Sequence, residues 1–370
     1  MRKKRLIFLI LAASLGALWG QCSRVANPLQ NLSHGDQGIV SILGPSLTKT
    51  GQELPFYLRT KRLAQKERVQ WYVIGEGEIV SSGSKAIWVR GLFPDTHFFL
   101  VCELYTSNDV LIARNSRLIR TFRQAVVLKA DDFIPDVNSH IAPQWKRFVR
   151  FIREQNLCAN IGVVGRFLEH PPENYRLYLL ALARDARFEL WNHGYYHSLI
   201  YGGDGRVFSE FFARSYRFQY EALERTQRVM KEKLGTEPHA FGAPGNLFDH
   251  ITVQVLQSFP EIHVWFFGKN NGRQMIFPRT VEAEYPTGRP NLSVFATGYD
   301  PEEELVVLQL HPAMWDEKDF GEFVKIIRFL QKYQATFVLA EEYYQYRKWI
   351  QQNVMPRDSH KDFWRGGRLH

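Results

Sequence analysis

The chain has 370 residues, 45% of them hydrophobic, 23% charged and 14% aromatic, with a formal net charge of +9. That length holds two or three domains with sizeable cores, and the composition is that of a globular protein rather than a disordered one. Four of the cations are Arg2, Lys3, Lys4 and Arg5, and the +5 that remains without them is too mild to select nucleic acid. No basic-aromatic RNA or DNA motif appears, so nucleic-acid partners are set aside.

The opening cations run into Leu6–Gly20, an apolar segment without a charge. This is the layout of a secretory signal peptide, and it is shorter than the roughly 20 residues of a spanning helix. Residues 1–22 are therefore expected to direct export to the periplasm or cell envelope. Cys22 stands where a bacterial lipoprotein signal carries its acylated cysteine, although Trp19 and Gln21 replace the usual small residues. Simple cleavage and lipid attachment through Cys22 both stand, the second giving a membrane anchor. Cys102 and Cys158 sit in no spacing that suggests zinc held by thiolates.

Residues 23–37 are polar and read as a tether. From 38 to 122 short strand-like runs alternate with turn signals: Gly38–Leu43, Val69–Ile74, Lys85–Val89 and His97–Tyr105, punctuated by Gly75-Glu-Gly77, Ser81-Ser-Gly83 and Ser107-Asn-Asp109. Regular short strands of this kind predict a small β-sandwich. The pattern resembles the immunoglobulin-like modules often attached to secreted carbohydrate enzymes.

From 123 to 352 strands alternate with helices. The predicted strands are 125–130, 158–164, 188–191, 239–241, 263–267, 305–310 and 336–339. The predicted helices are 143–155, 173–185, 207–234, 321–333 and a last one from near 341. Such alternation implies a parallel sheet, and this many units predicts a distorted β/α barrel. In such folds chemistry sits at the carboxyl ends of the strands. Residues 353–370 form a polar tail, and the Gly202-Gly-Asp-Gly205 cluster reads as a loop at the rim of the site.

The strand-end residues form a candidate site. Asp131 and Asp132 close an apolar run that starts at Ala125; they are either a helix cap or a pair of working carboxylates. His193 and His197 are four apart, which on a helical turn places both imidazoles on one face, able to close on a single metal. Joined to a strand-terminal Asp, they make a facial set with positions open to water and substrate. Adjacent residues of a strand point to opposite faces, so Asp131 and Asp132 reach one site only if the strand is ending. His311 ends another apolar run and reads either as a core histidine or as part of the site.

These residues resemble the motifs of the polysaccharide deacetylases, the NodB-like carbohydrate esterases. Lys129-Ala-Asp-Asp-Phe133 resembles the Thr-Phe-Asp-Asp-Gly motif, and Trp191-Asn-His-Gly-Tyr-Tyr-His197 resembles the histidine-pair motif. Phe241-Gly-Ala-Pro-Gly245 lies where an Arg-x-Pro motif belongs, and Leu308-Gln-Leu-His311 resembles the late Leu-x-x-His motif. The resemblance covers about 125–345 with motif order kept. It implies a divalent metal on Asp132, His193 and His197, usually zinc, with cobalt or nickel in some members. It also implies Asp131 as general base, His311 as general acid, and a backbone N–H near Gly245 for the oxyanion. Trp265 is the candidate for the hydrophobic part of the missing fourth motif, and Trp315 for packing or an acetyl pocket.

The implied reaction is hydrolysis of N-acetyl groups on an envelope or extracellular polysaccharide. One departure matters: the arginine that pairs with the base is replaced by Gly242, which leaves Arg273 or Arg279 as candidate substitutes. A carbohydrate-binding protein on the same fold with little or no activity is the alternative. A structural envelope lipoprotein leaves the Asp/His set unexplained.

Overall fold

A computed structural model describes residues 32–33, 40–60, 67–138, 140–201 and 207–354. The expected signal with Cys22, most of the tether, the Gly202–Gly205 cluster and residues 355–370 lie outside the described residues. The chain divides into two compact units. Of the described residues, the first takes those up to Arg123 together with Gln334–Thr336 and 345–354, and the second takes the rest.

The first unit contains β1 (Leu32–Ser33), β2 (Val40–Leu43), β3 (Leu47–Lys49), β4 (Glu53–Thr60), β5 (Arg68–Gly75), β6 (Gly77–Ser82), β7 (Ala86–Gly91), β8 (His97–Tyr105) and β9 (Leu111–Phe122). One sheet runs β2-β4-β7-β6 and the other β1-β9-β8-β5, with β3 added alongside β9. Burial alternates along β7, the signature of a strand with one face turned to a core. Cys102, a free thiol on β8, is buried, and burial pushes it up to about 12.

The second unit is a mixed α/β fold on a parallel sheet. In chain order it contains β10 (Ala125–Phe133), α1 (Pro143–Glu154), β11 (Ala159–Val163), α2 (Glu173–Arg184), β12 (Phe188–Asn192), β13 (Leu199–Tyr201), β14 (Val207–Ser209) and α3 (Tyr216–Leu234). It continues with β15 (Ala240–Phe241), α4 (His250–Leu256), β16 (Val264–Phe266), β17 (Met275–Phe277), α5 (Leu292–Gly298), β18 (Leu305–Leu310) and α6 (Glu317–Lys332). β19 (Thr336–Phe337) and α7 (Ala340–Asn353) are each divided between the two units, with Phe337 and the helix up to Tyr344 in the second. The strand order is β17-β16-β15-β12-β11-β10-β18, with β19 on β10. The row ends at β17 and β18 without a ladder between them among the described residues. A single bond reaches across, from Val307 N–H to Thr280 Oγ1 at 3.4 Å. The sheet is thus a half-closed barrel.

β10 lies between β11 and the end strand β18, and its Val126, Val127 and Leu128 are fully buried. Each side chain of that size contributes about 1.5–3 kcal/mol by leaving water. Near its end the pairing with β11 slips: Ala130 faces Ile161 while Phe133 faces Val163, so three steps on β10 match two on β11. This is a β-bulge, and Asp132 within it has φ +62°, a left-handed conformation uncommon outside glycine. The strand ends at Phe133, one residue after the carboxylate pair, in line with the expectation that both reach one site only where the strand is ending. The bulge just before that end, which was not legible in the sequence, turns the pair toward one site.

The helix expected from Val207 is also corrected. Val207–Ser209 pairs antiparallel with Leu199–Tyr201, and α3 starts where Ser215 Oγ caps the Phe218 N–H at 3.3 Å. It ends as expected at Gly235, whose φ is +66°.

Candidate metal centre and acid–base site

Because the strands are parallel, the segments that follow β10, β11, β12, β15 and β18 gather at one edge of the sheet. His193 follows β12, the Gly242–Gly245 segment follows β15, and His311 follows β18. The expected Asp131, Asp132, His193, His197 and His311 therefore come together.

His193 and His197 do not share a helical turn; this expectation is corrected. Residues 193–198 form an irregular loop held by two buried side chains. Asn192 Oδ1 accepts the Gly194 N–H at 2.9 Å. Glu210 accepts the N–H groups of Tyr195, Tyr196 and His197 at 2.5, 3.0 and 2.9 Å. Gly194 has φ +74°, and a Cβ there would lie 2.6 Å from Glu210 Oε2. His197 itself has φ +51°. Two of the three candidate ligands, Asp132 and His197, thus sit in a backbone region that costs about 1–3 kcal/mol each and persists only where surroundings impose it. Burial raises the Glu210 carboxyl, against the pull of the three N–H groups.

Both imidazoles aim Nε2 at Asp132 Oδ1, His193 at 3.0 Å and His197 at 2.7 Å. His193 Nδ1 meets the Gly242 carbonyl at 2.8 Å. A carbonyl only accepts, so that nitrogen carries the proton, and in a neutral ring Nε2 is a bare lone pair. A lone pair facing a carboxylate oxygen at 3.0 Å is repulsive unless the ring is protonated or a cation lies between them. The donor set, two histidines and one carboxylate with Nδ1 fixed by a carbonyl, therefore fits a divalent metal such as zinc. Burial raises the Asp132 carboxyl, but hydrogen bonds from His193 and His197 outweigh it and hold the group well below the usual range. Burial lowers His197 while the bond to Asp132 raises it, with a net rise.

Asp131 is buried at the other side of the bulge. Lys129 Nζ donates to its two oxygens at 2.7 and 2.6 Å, and Gln309 Nε2 donates to Oδ2 at 2.8 Å. Gln309 Oε1 in turn accepts from Asn246 Nδ2 at 3.1 Å, which ties Asp131 to the turn carrying Gly245. The Nε2 atoms of His193 and His311 each lie 3.9 Å from Asp131 Oδ2. Burial pushes the Lys129 ammonium down, and Asp131 draws it back up.

His311 is oriented by Glu284, which accepts from His311 N at 2.8 Å, His311 Nδ1 at 2.6 Å and Trp315 Nε1 at 2.8 Å. Burial lowers His311, but the bond to Glu284 and the charge of Asp131 leave it raised. Gly245 has φ +61° and is exposed, and its N–H has no protein acceptor among the described residues.

Two expectations change, and for Trp315 the packing alternative holds against Phe148 and Phe323. Trp265 is fully buried in a cluster with Phe241, Val255, Leu256 and Ile276, so it is core rather than pocket lining. Trp315 is also buried, and its polar end serves Glu284. Arg273 bonds the Gln257 carbonyl and Arg279 pairs with Glu282, so neither holds Asp131. Sequence reasoning missed Lys129, Gln309, Glu210 and Glu284. The first two carried a signal: they sit two residues before Asp131 and His311 in strands, on the same face by the period of two.

A second group, His239, His263 and Glu341, precedes β15 and β16 at the opposite strand ends. Its imidazoles stack within 9° of parallel, so one ion does not lie in the plane of both rings. His263 also stacks on Tyr344 and bonds Glu341 at 2.8 Å, which reads as a packed pile.

No protein-family model matches the chain, and no curated protein matches it. Similar solved structures include a CE4 family pseudoenzyme from Bacillus anthracis, 13% identical with TM-score 0.43 over 60% of this chain and 66% of that one. Another is the CE4 domain of a multidomain xylanase from the hindgut metagenome of Trinervitermes trinervoides, 14% identical with TM-score 0.43 over 61% and 90%. A third is a family 4 acetyl xylan esterase from Clostridium thermocellum in complex with a cobalt ion, 16% identical with TM-score 0.43 over 61% and 92%.

Proposed function

We propose that this chain is a metal-dependent hydrolase that removes N-acetyl groups from a cell-envelope or extracellular polysaccharide. The observation that carries the reading is the division of labour at one bulge. Asp132 meets His193 and His197 at 3.0 and 2.7 Å, while Asp131 Oδ2 stands 3.9 Å from both His193 and His311 and is the carboxylate within reach of His311. A divalent cation on Asp132, His193 and His197, zinc by donor type with cobalt or nickel as alternatives, supplies Lewis acidity at the acyl group.

The remaining work belongs to side chains. Asp131 takes the proton of the attacking water as its oxygen adds to the acyl carbon, with Lys129 and Gln309 fixing the carboxylate in place. The Gly245 N–H is the candidate donor to the developing oxyanion. His311, kept protonated by Glu284, gives its proton to the departing nitrogen as the C–N bond breaks, releasing acetate and a free amine.

Residues 38–122 are assigned to an immunoglobulin-like accessory module. The basic, then apolar, start supports export, with simple cleavage and lipid attachment at Cys22 as the two alternatives. Among the described residues no helix is long and apolar enough to cross a membrane. The deciding experiment is acetate release from a panel of acetylated glycans by the metal-loaded protein. Stoichiometric metal and glycan binding without acetate would instead assign a carbohydrate-binding protein on this fold.

A further inference from the structure

The Lys129 ammonium is out of contact with solvent, on a strand paired on both sides by β11 and β18, and donates to both oxygens of Asp131. Three aromatic rings wall it in, with centroids at 4.8 Å for Trp191, 4.9 Å for Phe267 and 5.8 Å for Phe266. Their π faces favour a cation, and a buried cation without a carboxylate is costly. The pair is therefore built as a unit, with strand alternation placing residues 129 and 131 on one face.

Gly242 completes the arrangement. A Cβ at that position would lie 2.9 Å from Trp191 Cζ3 and 3.4 Å from Lys129 Cε. The space a side chain at 242 would need is already filled by the lysine and its aromatic wall. A cation reaching Asp131 from residue 242 and one reaching it from residue 129 are mutually exclusive in this core.

We infer that Lys129 is the positioning residue for Asp131, doing from the same strand what a cation from the Gly242 segment would otherwise do. The inference rests on the hydrolase reading above. Lys129 does not touch the reacting atoms; it fixes the rotamer of the carboxylate that does. Gln309 alone offers Asp131 one donor and no charge, so without Lys129 the carboxylate is free to turn away from His311.

The test is a double-variant cycle on the full chain with Lys129→Met, Asp131→Asn and the two combined, read in three ways. First, acetate release shows whether the wild type is a hydrolase; no release at all defeats the hydrolase reading, and is seen before any variant is compared. Second, kcat of Lys129→Met is expected to fall about 100-fold, the scale of a misplaced group, with KM and bound metal unchanged. In the Asp131→Asn background the same change is expected to cost nothing further.

Third, the unfolding midpoint, which needs no activity, is expected to drop for Lys129→Met and to recover in the double variant, where no buried charge is left alone. If Lys129→Met fails to fold, Lys129→Ala supplemented with propylammonium replaces it, and return of turnover with the amine but not with propanol is the expected result. Full kcat in Lys129→Met overturns the inference. So does a loss that multiplies unchanged onto Asp131→Asn.

Discussion

Glu284 grips His311 at two points, accepting its backbone N–H at 2.8 Å and its Nδ1–H at 2.6 Å. The contact fixes the ring so that Nε2 faces Asp131, and it favours the protonated imidazole. Burial alone would lower His311; Glu284 reverses the direction. Because the protonated form is the acid of the proposed reaction, activity is expected to be lost as pH rises through the raised value. Glu284→Gln should move that alkaline limb to lower pH and cut kcat roughly 10–100-fold, the scale seen when a partner that orients a working histidine is removed. A pH–rate profile with an unmoved alkaline limb would reject the assignment.

The bulge at Asp131 and Asp132 separates two roles that sequence neighbours do not ordinarily share. Asp131→Asn should keep the metal and lose about 10²–10⁴-fold in rate, the usual worth of a general base. Asp132→Asn, or His193→Ala with His197→Ala, should instead empty the site. Metal analysis of purified variants distinguishes the two classes. Stoichiometric metal in a folded double-histidine variant would sink the ligand assignment.

Glu210 carries no chemistry of its own, yet it holds the loop on which both histidines ride. Replacing it with Leu leaves the Tyr195, Tyr196 and His197 N–H groups without their acceptor. Each orphaned group costs about 1–3 kcal/mol, and His197 needs the restraint to stay at positive φ. The expected result is metal affinity reduced 10–100-fold by titration, with the rest of the fold retained by circular dichroism.

In the first unit Asp95 gives an independent handle on pH. Burial pushes its carboxyl up to about 7, against weaker opposing effects from Thr336 and Arg120. Below the ordinary carboxylate range both folded and unfolded chains hold the proton, and no cost arises. Between that range and pH 7 the folded chain keeps a proton that the unfolded chain has lost, so stability falls as pH rises and levels off above 7. Asp95 has φ +55°, which asparagine tolerates well. Asp95→Asn should therefore gain roughly 1–4 kcal/mol at pH 8 and nothing at pH 3 in urea unfolding. An equal effect at both pH values would show that charge is not the cause.

Much of this was legible in the sequence, for physical reasons. Alternating apolar runs and helical stretches dictate a parallel sheet, and a parallel sheet collects the ends of its strands, so Asp131, Asp132, His193 and His311 could be placed together. The bulge could not be read, because it depends on how β10 fits β11 rather than on β10 alone. The irregular loop carrying His197 escaped for a similar cause: its acceptor, Glu210, lies 13 residues away. Glu284 was hidden because Trp315 and His311 converge on it only after folding. Lys129 was visible as a cation inside an apolar strand, but its meaning needed the packing around Gly242.

That packing yields the sharpest prediction. Placing an arginine at 242, as the resembled family would suggest, should not repair the site. Its Cβ would press on Trp191, which is fully buried and has no open side to move into. Overpacking of this kind costs about 1–3 kcal/mol, and a guanidinium would add a second cation beside Lys129. The Gly242 carbonyl also holds His193 Nδ1, so displacement there passes directly to a proposed metal ligand. Gly242→Arg should therefore bind metal more weakly and turn over more slowly than the wild type. Gly242→Ala should show the same direction with a smaller effect. Metal titration and acetate release on both variants check this, and a faster Gly242→Arg protein would mean that the space beside Asp131 is open after all.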